Sequence, residues 1–343
     1  MKYIKLFDTH NPDYVNYIND DNCILPNLSF CKDIEDIHLN KINYSKFYLT
    51  FIALEDGEFN IIMQKTLQVT DMRSISYSYD NGNTWETFEN IDNESITIYI
   101  PVQTNDHILL KGDADTLMSN TLDNNSHLII NSTINFNIQG NIMSLLYGDN
   151  FKNNNNLINP NSFGNLFLNN VNLINAKNLI LPATTLVNYC YYGMFRGCAS
   201  LTSVPELPAT TLANSCYSRM FSGCTSLTSA PELPATTLTD YCYSNMFYGC
   251  TTLTTAPELP ATTLTDYCYS SMFRNCTSLT TAPKLPATTL ADSCYNCMFY
   301  GCTSLTTAPE LPATTLANNC YAYIFQDCTS LTTPPSLPAT TLA

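Results

Sequence analysis

CYSNMFYGC, residues 242–250, is the stretch that decides how the second half of this chain folds. It contains two cysteines eight residues apart, and close variants of it occur five more times along the chain. Cysteines at a fixed spacing can bind zinc, form a disulfide, act as a catalytic thiol or pack as small apolar side chains. The choice among these four roles determines most of what the sequence says about function.

The stretch belongs to a repeat with a period of 26 residues. The word LPATTL marks the period and begins at Leu181, Leu207, Leu233, Leu259, Leu285, Leu311 and Leu337. A fixed period of this size indicates a solenoid, because one unit cannot bury its own apolar face and stacked units share a continuous core. Residues 181–343 are therefore predicted to form a solenoid of 26-residue coils.

The apolar residues of each unit favour a helix. Leu238, Cys242, Met246 and Cys250 follow a four-residue step, which predicts a helix of about three turns with one apolar face. The Thr-rich segment that follows is stopped by proline and predicts a short strand and a turn. On this interpretation the cysteines form a core ladder that consists of Cys190, Cys198, Cys216, Cys224, Cys242, Cys250, Cys268, Cys276, Cys294, Cys302, Cys320 and Cys328.

The spacing of these cysteines disfavours disulfides and zinc. Eight residues along a helix separate two Cα atoms by about 12 Å, and equivalent helices of neighbouring units should lie about 8–10 Å apart, whereas a disulfide needs less than about 7 Å. Zinc sites use closer ligand spacings, yet all four histidines precede the repeats and one CxxC pair is present, Cys294 and Cys297. We expect free thiols that pack as apolar groups, with no metal and no cofactor.

The pattern CYxxMFxGCTSLTTAPELP closely resembles the BspA-like leucine-rich repeats, which are common in surface proteins of gut and oral bacteria and occur in some of their phages. The resemblance covers about residues 162–343. It implies a leucine-rich-repeat solenoid with a role in adhesion and recognition. This chain departs from the family in its 26-residue period and in its second proline word, APELP.

Residues 127–180 are predicted to connect the repeats to the first half of the chain. FNIQGNIMSLLYG reads as a strand, and NLFLNNVNL at residues 165–173 is a degenerate copy of NMFYGCTTL with Asn170 at a cysteine position. Terminal repeats are usually atypical, because one of their faces meets something other than a repeat. We interpret this copy as the N-terminal cap of the solenoid.

Residues 43–126 alternate in the manner of short strands and predict a small β-sandwich, so the expected fold class is α+β. Asp80 to Asn83 are expected to turn a hairpin. SYDNGNTW, residues 78–85, resembles the Asp-box hairpin of sialidases and many unrelated β-proteins. The Asp-box shapes a turn away from the catalytic site in those families, which implies a structural role here.

The first 42 residues resemble the leading segment of virion structural proteins from phages of gut Bacteroidales, including crAss-like phages. This implies an anchor or assembly segment that contacts other virion proteins. No apolar run of signal-peptide length follows Lys2 and Lys5, so we expect synthesis in the host cytoplasm and display on the virion surface.

Composition and motifs exclude several functions. Acidic residues outnumber basic ones 29 to 14 and the net charge is −15, which disfavours nucleic acid as a partner. No window approaches 18 apolar residues, so membrane insertion is not expected. Neither GxSxG, HExxH nor a glycine-rich phosphate loop is present, and we expect that the protein is not an enzyme.

Positions that vary between units are candidates for recognition. We expect these positions, which include 187–189, to share one outward helix face, either as a surface free to drift or as a binding surface for a host cell-surface protein or glycan. The candidate binding residues are Tyr192, Arg196, Arg219, Tyr248, Arg274, Tyr300 and Tyr323.

The sequence thus favours a non-enzymatic structural or adhesion protein of a phage virion, in a head or tail fibre or as capsid decoration. A bacterial cell-surface adhesin is the alternative, and a glycan-active enzyme is a more distant one. The sequence leaves open whether the protein forms a homo-oligomer.

Overall fold

The computed structural model describes residues 4–7, 15–18, 46–63, 74–89, 95–112 and 128–340. Within the predicted anchor, residues 1–42, it describes two strands, β1 (Ile4–Phe7) and β2 (Val15–Ile18), which pair in antiparallel fashion. The rest of the anchor lies outside the described residues.

The described residues are mainly β-structure in the first half of the chain, so the predicted α+β class holds only in a coarse sense. The strands are β3 (Leu49–Ala53), β4 (Gly57–Met63), β5 (Ser74–Ser78), β6 (Glu86–Glu89), β7 (Ile96–Val102), β8 (His107–Gly112), β9 (Leu128–Ser132), β10 (Phe136–Asn141) and β11 (Leu173–Ile180). One short helix, α1 (Ser144–Tyr147), continues into a 3-10 helix at Gly148–Asn153. No helix of the described residues is long and apolar enough to cross a membrane.

The strands form two larger sheets. One has six strands in the order β11-β10-β3-β8-β5-β6, and the other has three in the order β7-β4-β9. All pairs are antiparallel except β10 with β11, which is parallel. The short strands predicted within residues 43–126 are present as β3 to β8. Strands β9 and β10 follow residue 126 and pair with β4 and β3.

The two sheets pack against each other through aromatic side chains. Burial alternates along β4, so that Phe59, Ile61 and Met63 face inward, as expected for a strand with one apolar side. The rings of Phe51 on β3 and Phe59 on β4 lie 5.3 Å apart, and Phe136 on β10 lies 5.1 Å from Phe59. These contacts join the two sheets into one core.

The helix predicted in each repeat is wrong. Residues 240–249 form consecutive turns instead, and every fourth residue has a positive φ: 58° at Tyr241, 55° at Asn245 and 72° at Gly249. The same conformation recurs in every unit. A left-handed residue at every fourth position cannot continue a right-handed helix, because it reverses the backbone at that point. The four-residue step of the apolar side chains is the period of these turns.

Backbone hydrogen bonds explain why the turns are stable. Between residues 241 and 250, alternate N–H groups bond inside the unit, as from Cys242 to the carbonyl oxygen of Thr239 (3.2 Å). The N–H groups between them donate to the next unit, as from Tyr243 to the carbonyl oxygen of Cys268 (3.0 Å). Each turn segment that has a following unit therefore depends on that unit for half of its backbone donors, whereas a helix satisfies its own.

The short strand predicted after each turn segment is reduced to single-residue bridges. Parallel bridges connect Ser229, Thr255, Thr281 and Thr307 in consecutive units. Two prolines follow each bridge, as Pro257 and Pro260 follow Thr255, and they limit further pairing because proline lacks the N–H group that a ladder needs.

We call the stacked units, residues 161–340, the repeat array. Two columns of aromatic rings run through it. One column contains Phe163, Tyr191, Tyr217, Tyr243, Tyr269, Tyr295 and Tyr321. The other contains Phe167, Phe195, Phe221, Phe247, Phe273, Phe299 and Phe325. Centroids of the rings at Tyr243 and Tyr269 are 5.8 Å apart, so the units lie closer together than the 8–10 Å expected for packed helices.

The array begins before the first LPATTL word. Asn161, Asn165 and Asn169 have the positive φ of the turn segments, and Phe167 starts one ring column while contacting Phe51 of the sheets at 6.3 Å. The buried Asn170 amide donates to the carbonyl oxygen of Ile130 on β9 (3.1 Å). One hydrophobic core therefore runs from the sheets through the array.

Candidate functional site

Several positions of each unit differ from unit to unit beside a nearly constant core, and we call the three that contain the candidate binding residues the variable rows. The first row consists of Tyr192, Ser218, Ser244, Ser270, Asn296 and Ala322. The second row consists of Gly193, Arg219, Asn245, Ser271, Cys297 and Tyr323. The third row consists of Arg196, Ser222, Tyr248, Arg274, Tyr300 and Gln326.

The first row is largely part of the interior. Ser218 donates through its hydroxyl to the carbonyl oxygen of Ser244 (3.1 Å), and Ser244 donates to that of Ser270 (3.3 Å). Tyr192 is only 9% exposed. The expectation of one outward helix face is thus wrong in its geometry: there is no helix here, and Tyr192 belongs to a buried row.

The other six candidate residues reach the surface to different extents. Arg196 is exposed and Tyr323 is 66% exposed. The side chains that are half-buried are Arg219, Tyr248, Arg274 and Tyr300. Tyr248, Arg274 and Tyr300 stack on one another along the array, because equivalent positions of neighbouring units lie directly beside each other.

Arg274 forms the centre of one such stack. Its guanidinium lies 5.8 Å from the ring centroid of Tyr248 and 4.4 Å from that of Tyr300, which belong to the units on either side. The Nε of Arg274 is buried and has no hydrogen-bond partner among the described residues. A hydrogen bond to Asp327 raises the pKa of Tyr300. Cation–π contacts therefore hold this arginine in place.

A second stack lies at the beginning of the array. The Arg219 guanidinium is 5.9 Å from the ring centroid of Tyr192, and the ring of Tyr192 contacts that of Tyr189 edge to face at 6.0 Å. Arg219 thus covers a buried aromatic ring.

An exposed aromatic pair, absent from the candidate binding residues, lies outside the variable rows. Tyr241 and Tyr267 stack with their centroids 4.6 Å apart and remain 42% and 36% exposed. Burial and the neighbouring Tyr267 and Asp266 raise the pKa of Tyr241. Their position varies between units, reading Tyr189, Ser215, Tyr241, Tyr267, Ser293 and Asn319, and the signal for the pair was the tyrosine shared by two consecutive units.

Asp266, Asp292 and Asn318 occupy equivalent positions of consecutive units, one residue before the position of Tyr267. The carboxylate of Asp266 accepts from the backbone N–H of Asp292 (3.0 Å), and that of Asp292 accepts from the N–H of Asn318 (3.1 Å). These carboxylates therefore satisfy backbone donors of the following unit.

The hairpin at residues 78–85 is held together by its own side chains. The Asp80 carboxylate accepts from the N–H and hydroxyl of Thr84 (2.8 and 2.7 Å) and from the hydroxyl of Ser78 (2.8 Å). These bonds, led by that from the Thr84 N–H, lower the pKa of Asp80 to about 2. The indole of Trp85 donates to the Gly82 carbonyl oxygen (3.0 Å). The carboxylate is thus engaged in shaping the turn.

The cysteines of the described residues are all free and buried. The second cysteine of a unit donates its S–H to the phenylalanine carbonyl of the preceding unit, as Cys250 does to Phe221 (3.1 Å). Burial raises the pKa of Cys250 from 9.0 to about 12, which suppresses the reactive thiolate at neutral pH. No group of three or more potential metal ligands occurs in the part of the chain that the structure describes.

The sites described above therefore combine a constant thiol and aromatic interior with a surface of tyrosine, arginine and carboxylate side chains. Comparison of the chain with family models, with curated proteins and with solved structures finds no match.

Proposed function

We propose that this chain is a non-enzymatic attachment protein on the surface of a phage virion and that its repeat array binds the host surface. In this proposal the array is a leucine-rich-repeat solenoid of the BspA-like type, and the two sheets before it form a β-sandwich. The segment of residues 1–42 contacts other virion proteins. A host cell-surface protein or glycan is the partner of the array.

The observation that carries the proposal is the contrast between the interior and the third variable row, whose six members all reach the surface. The Cys, Tyr and Phe positions repeat without change from unit to unit, whereas the third row reads Arg, Ser, Tyr, Arg, Tyr and Gln. Tyrosine and arginine are enriched at binding hot spots. A stacked array also extends a surface by simple addition of units, so a binding surface can change without disturbing the core.

A bacterial cell-surface adhesin with the same array is the second candidate, since the resemblance to BspA-like repeats covers both. A glycan-active enzyme is a weaker candidate. That candidate would rest on the Asp-box of residues 78–85, and the Asp80 carboxylate of this motif accepts three hydrogen bonds inside its own hairpin.

The test uses variable-row residues whose loss should not disturb the fold. Arg196→Ala with Tyr323→Ala removes two exposed side chains from the variable rows. Lys284→Ala with Tyr99→Ala is the matched control, because it removes an exposed cation and an exposed tyrosine that lie outside these rows. Binding of each purified protein to a panel of gut Bacteroidales cells is measured by flow cytometry, after circular dichroism has established that both fold.

We expect the first variant to bind at least about tenfold more weakly than the control variant. A hot-spot side chain that becomes buried at an interface contributes about 2 kcal/mol or more to binding. Equal binding of the two variants would assign these positions to surface drift. Arg274→Ala is unsuitable for this test, because the stack with Tyr248 and Tyr300 also stabilises the array.

A further inference from the structure

A polar cleft lies beside β5 and β8 of the six-stranded sheet, away from the edge strand β11 that precedes the first LPATTL word. It has a volume of about 720 Å³, within the range of roughly 300–1,000 Å³ that is typical of small-molecule sites. Strands β5 and β8 form one wall, and the turn from α1 into the 3-10 helix forms the other.

Close backbone packing shapes the base of the cleft. Gly148 has φ 50° and ψ −128°, and a Cβ at this position would approach the carbonyl oxygen of Gly112 to 3.0 Å. A side chain is therefore disfavoured here both by the backbone conformation and by the space. Glycine lets the 3-10 helix approach β8 and keeps the lining residues together.

The charges of the cleft are already balanced. Its two charged lining residues are Lys111 and Asp149, whose ammonium and carboxylate groups contact each other at 2.9 and 3.0 Å. The Lys111 ammonium also lies 4.1 Å from the ring centroid of Trp85, and the Tyr48 hydroxyl donates to Asp149 (2.6 Å). The hydrogen bonds from Lys111 and then Tyr48 lower the pKa of Asp149, so its carboxyl group stays ionised at neutral pH. An ionic ligand would leave one of these charges without its partner.

The remaining side chains of the cleft are uncharged and polar. Asn150 and Asn153 are exposed at its rim, and an amide both donates and accepts hydrogen bonds. The ring of Tyr147 is half-buried and is oriented by a hydrogen bond from its hydroxyl to the Asn156 carbonyl oxygen (2.7 Å). Such a lining suits a ligand with many hydroxyl groups and one apolar C–H face that can lie on an aromatic ring.

We propose that this cleft binds a neutral sugar, either free or as a residue of a glycan, through the amides of Asn150 and Asn153 and the ring of Tyr147. The site lies on the sheets and is independent of the variable rows. It would give the protein a second recognition surface, and its test does not depend on attachment by the repeat array.

The experiment uses the full chain and a glycan array of neutral and sialylated oligosaccharides, followed by titration calorimetry with the best neutral oligosaccharide and with its reducing-end monosaccharide. Asn150→Ala with Asn153→Ala is the test variant. Asn155→Ala with Asn156→Ala is the matched control, because these two exposed asparagines follow in sequence but their side chains do not line the cleft. We expect neutral oligosaccharides to bind, the test variant to raise the Kd about tenfold or more, and the control to leave it unchanged.

A third variant, Asp149→Asn, tests the charge balance. It keeps the size of the side chain but leaves the Lys111 cation unpaired, so we expect the preference to shift from neutral toward sialylated oligosaccharides. Binding of the monosaccharide with similar affinity would identify a free sugar as sufficient, and binding of the oligosaccharide alone would identify a glycan. The proposal is overturned if no neutral oligosaccharide binds at millimolar concentration, if the unaltered protein prefers sialylated ones, or if both double variants bind alike.

Discussion

Replacing one cysteine of a unit at a time tests the account of the thiol ladder. Cys242 and Cys250 belong to the same unit and are both 0% exposed, but their roles differ. The Cys250 thiol donates to the Phe221 carbonyl oxygen at 3.1 Å, and equivalent bonds occur at Cys224, Cys276 and Cys302. The Cys242 thiol donates no such bond to the described residues, so its packing as a small side chain is its main contribution.

The expected costs follow from these contacts. Truncation of either cysteine to alanine removes one buried sulfur atom, which is similar to removal of one buried methyl group and costs about 1 kcal/mol. Cys250→Ala also removes an S–H···O bond, which contributes a further ~0.5–1 kcal/mol. The Phe221 carbonyl keeps the bond that it accepts from the Cys224 backbone N–H (3.1 Å), so no buried acceptor is left unpaired. We expect losses of about 1 kcal/mol for Cys242→Ala and about 1.5–2 kcal/mol for Cys250→Ala.

Urea unfolding followed by circular dichroism measures both costs under reducing conditions. The urea midpoint should fall more for Cys250→Ala than for Cys242→Ala. The slope m should be unchanged, because the same surface is exposed on unfolding. Equal losses, or a larger loss for Cys242→Ala, would refute the hydrogen-bonding role of the second cysteine. The same comparison between Cys268 and Cys276 in the next unit shows whether the difference belongs to the repeat.

Three further predictions concern the ring column, pH and the anchor. The Tyr243 hydroxyl is buried without a hydrogen-bond partner among the described residues, so Tyr243→Phe should leave the free energy of unfolding unchanged or raise it by up to about 1 kcal/mol; a loss larger than that would mean that the hydroxyl is bonded. Burial raises the pKa of Cys190 and Cys250 in the folded protein from 9.0 to about 12. Above pH 9 the thiols of the unfolded chain ionise first, so their contribution to the free energy of unfolding is complete below pH 9 and is lost as the pH rises toward 12. Urea midpoints measured from pH 7 to pH 11 with reductant present should therefore fall above pH 9, and a constant midpoint would contradict this. Deletion of residues 1–42 should leave the repeat array folded but prevent incorporation into virus particles, as measured by mass spectrometry of purified particles; normal incorporation would place the attachment function elsewhere.

Part of the fold could be predicted because it depends on local patterns. Alternation of apolar and polar residues identified β3 to β8, and the word SYDNGNTW identified the turn in which Asp80 accepts its three hydrogen bonds. The 26-residue period likewise identified the residues that repeat in the core, among them Tyr243, Phe247 and Cys250.

The candidate surface was predicted less well. The variation between units singled out Arg274, Tyr248 and Tyr300, but sequence variation does not distinguish an exposed side chain from one that stacks on its neighbours. The Tyr241 and Tyr267 pair was missed for the related reason that its exposure depends on where the backbone turns. A better signal was present at the last position with positive φ, which reads Gly197, Gly223, Gly249, Asn275, Gly301 and Asp327. Glycine, asparagine and aspartate tolerate the left-handed region best.

The sequence by itself determined the repeat, its period and the side chains that form the interior, because these follow from composition at fixed intervals. Only the tertiary structure decided the backbone conformation of the unit. A helix and the observed turns both bring residues four apart to one side, as with Cys242 and Met246. They differ in where half of the backbone N–H groups bond: inside the same segment in a helix, and to the carbonyl groups of the next unit here. The stacked neighbour supplies the carbonyl groups that stabilise the turns, so the sequence of a single unit does not determine its own backbone conformation.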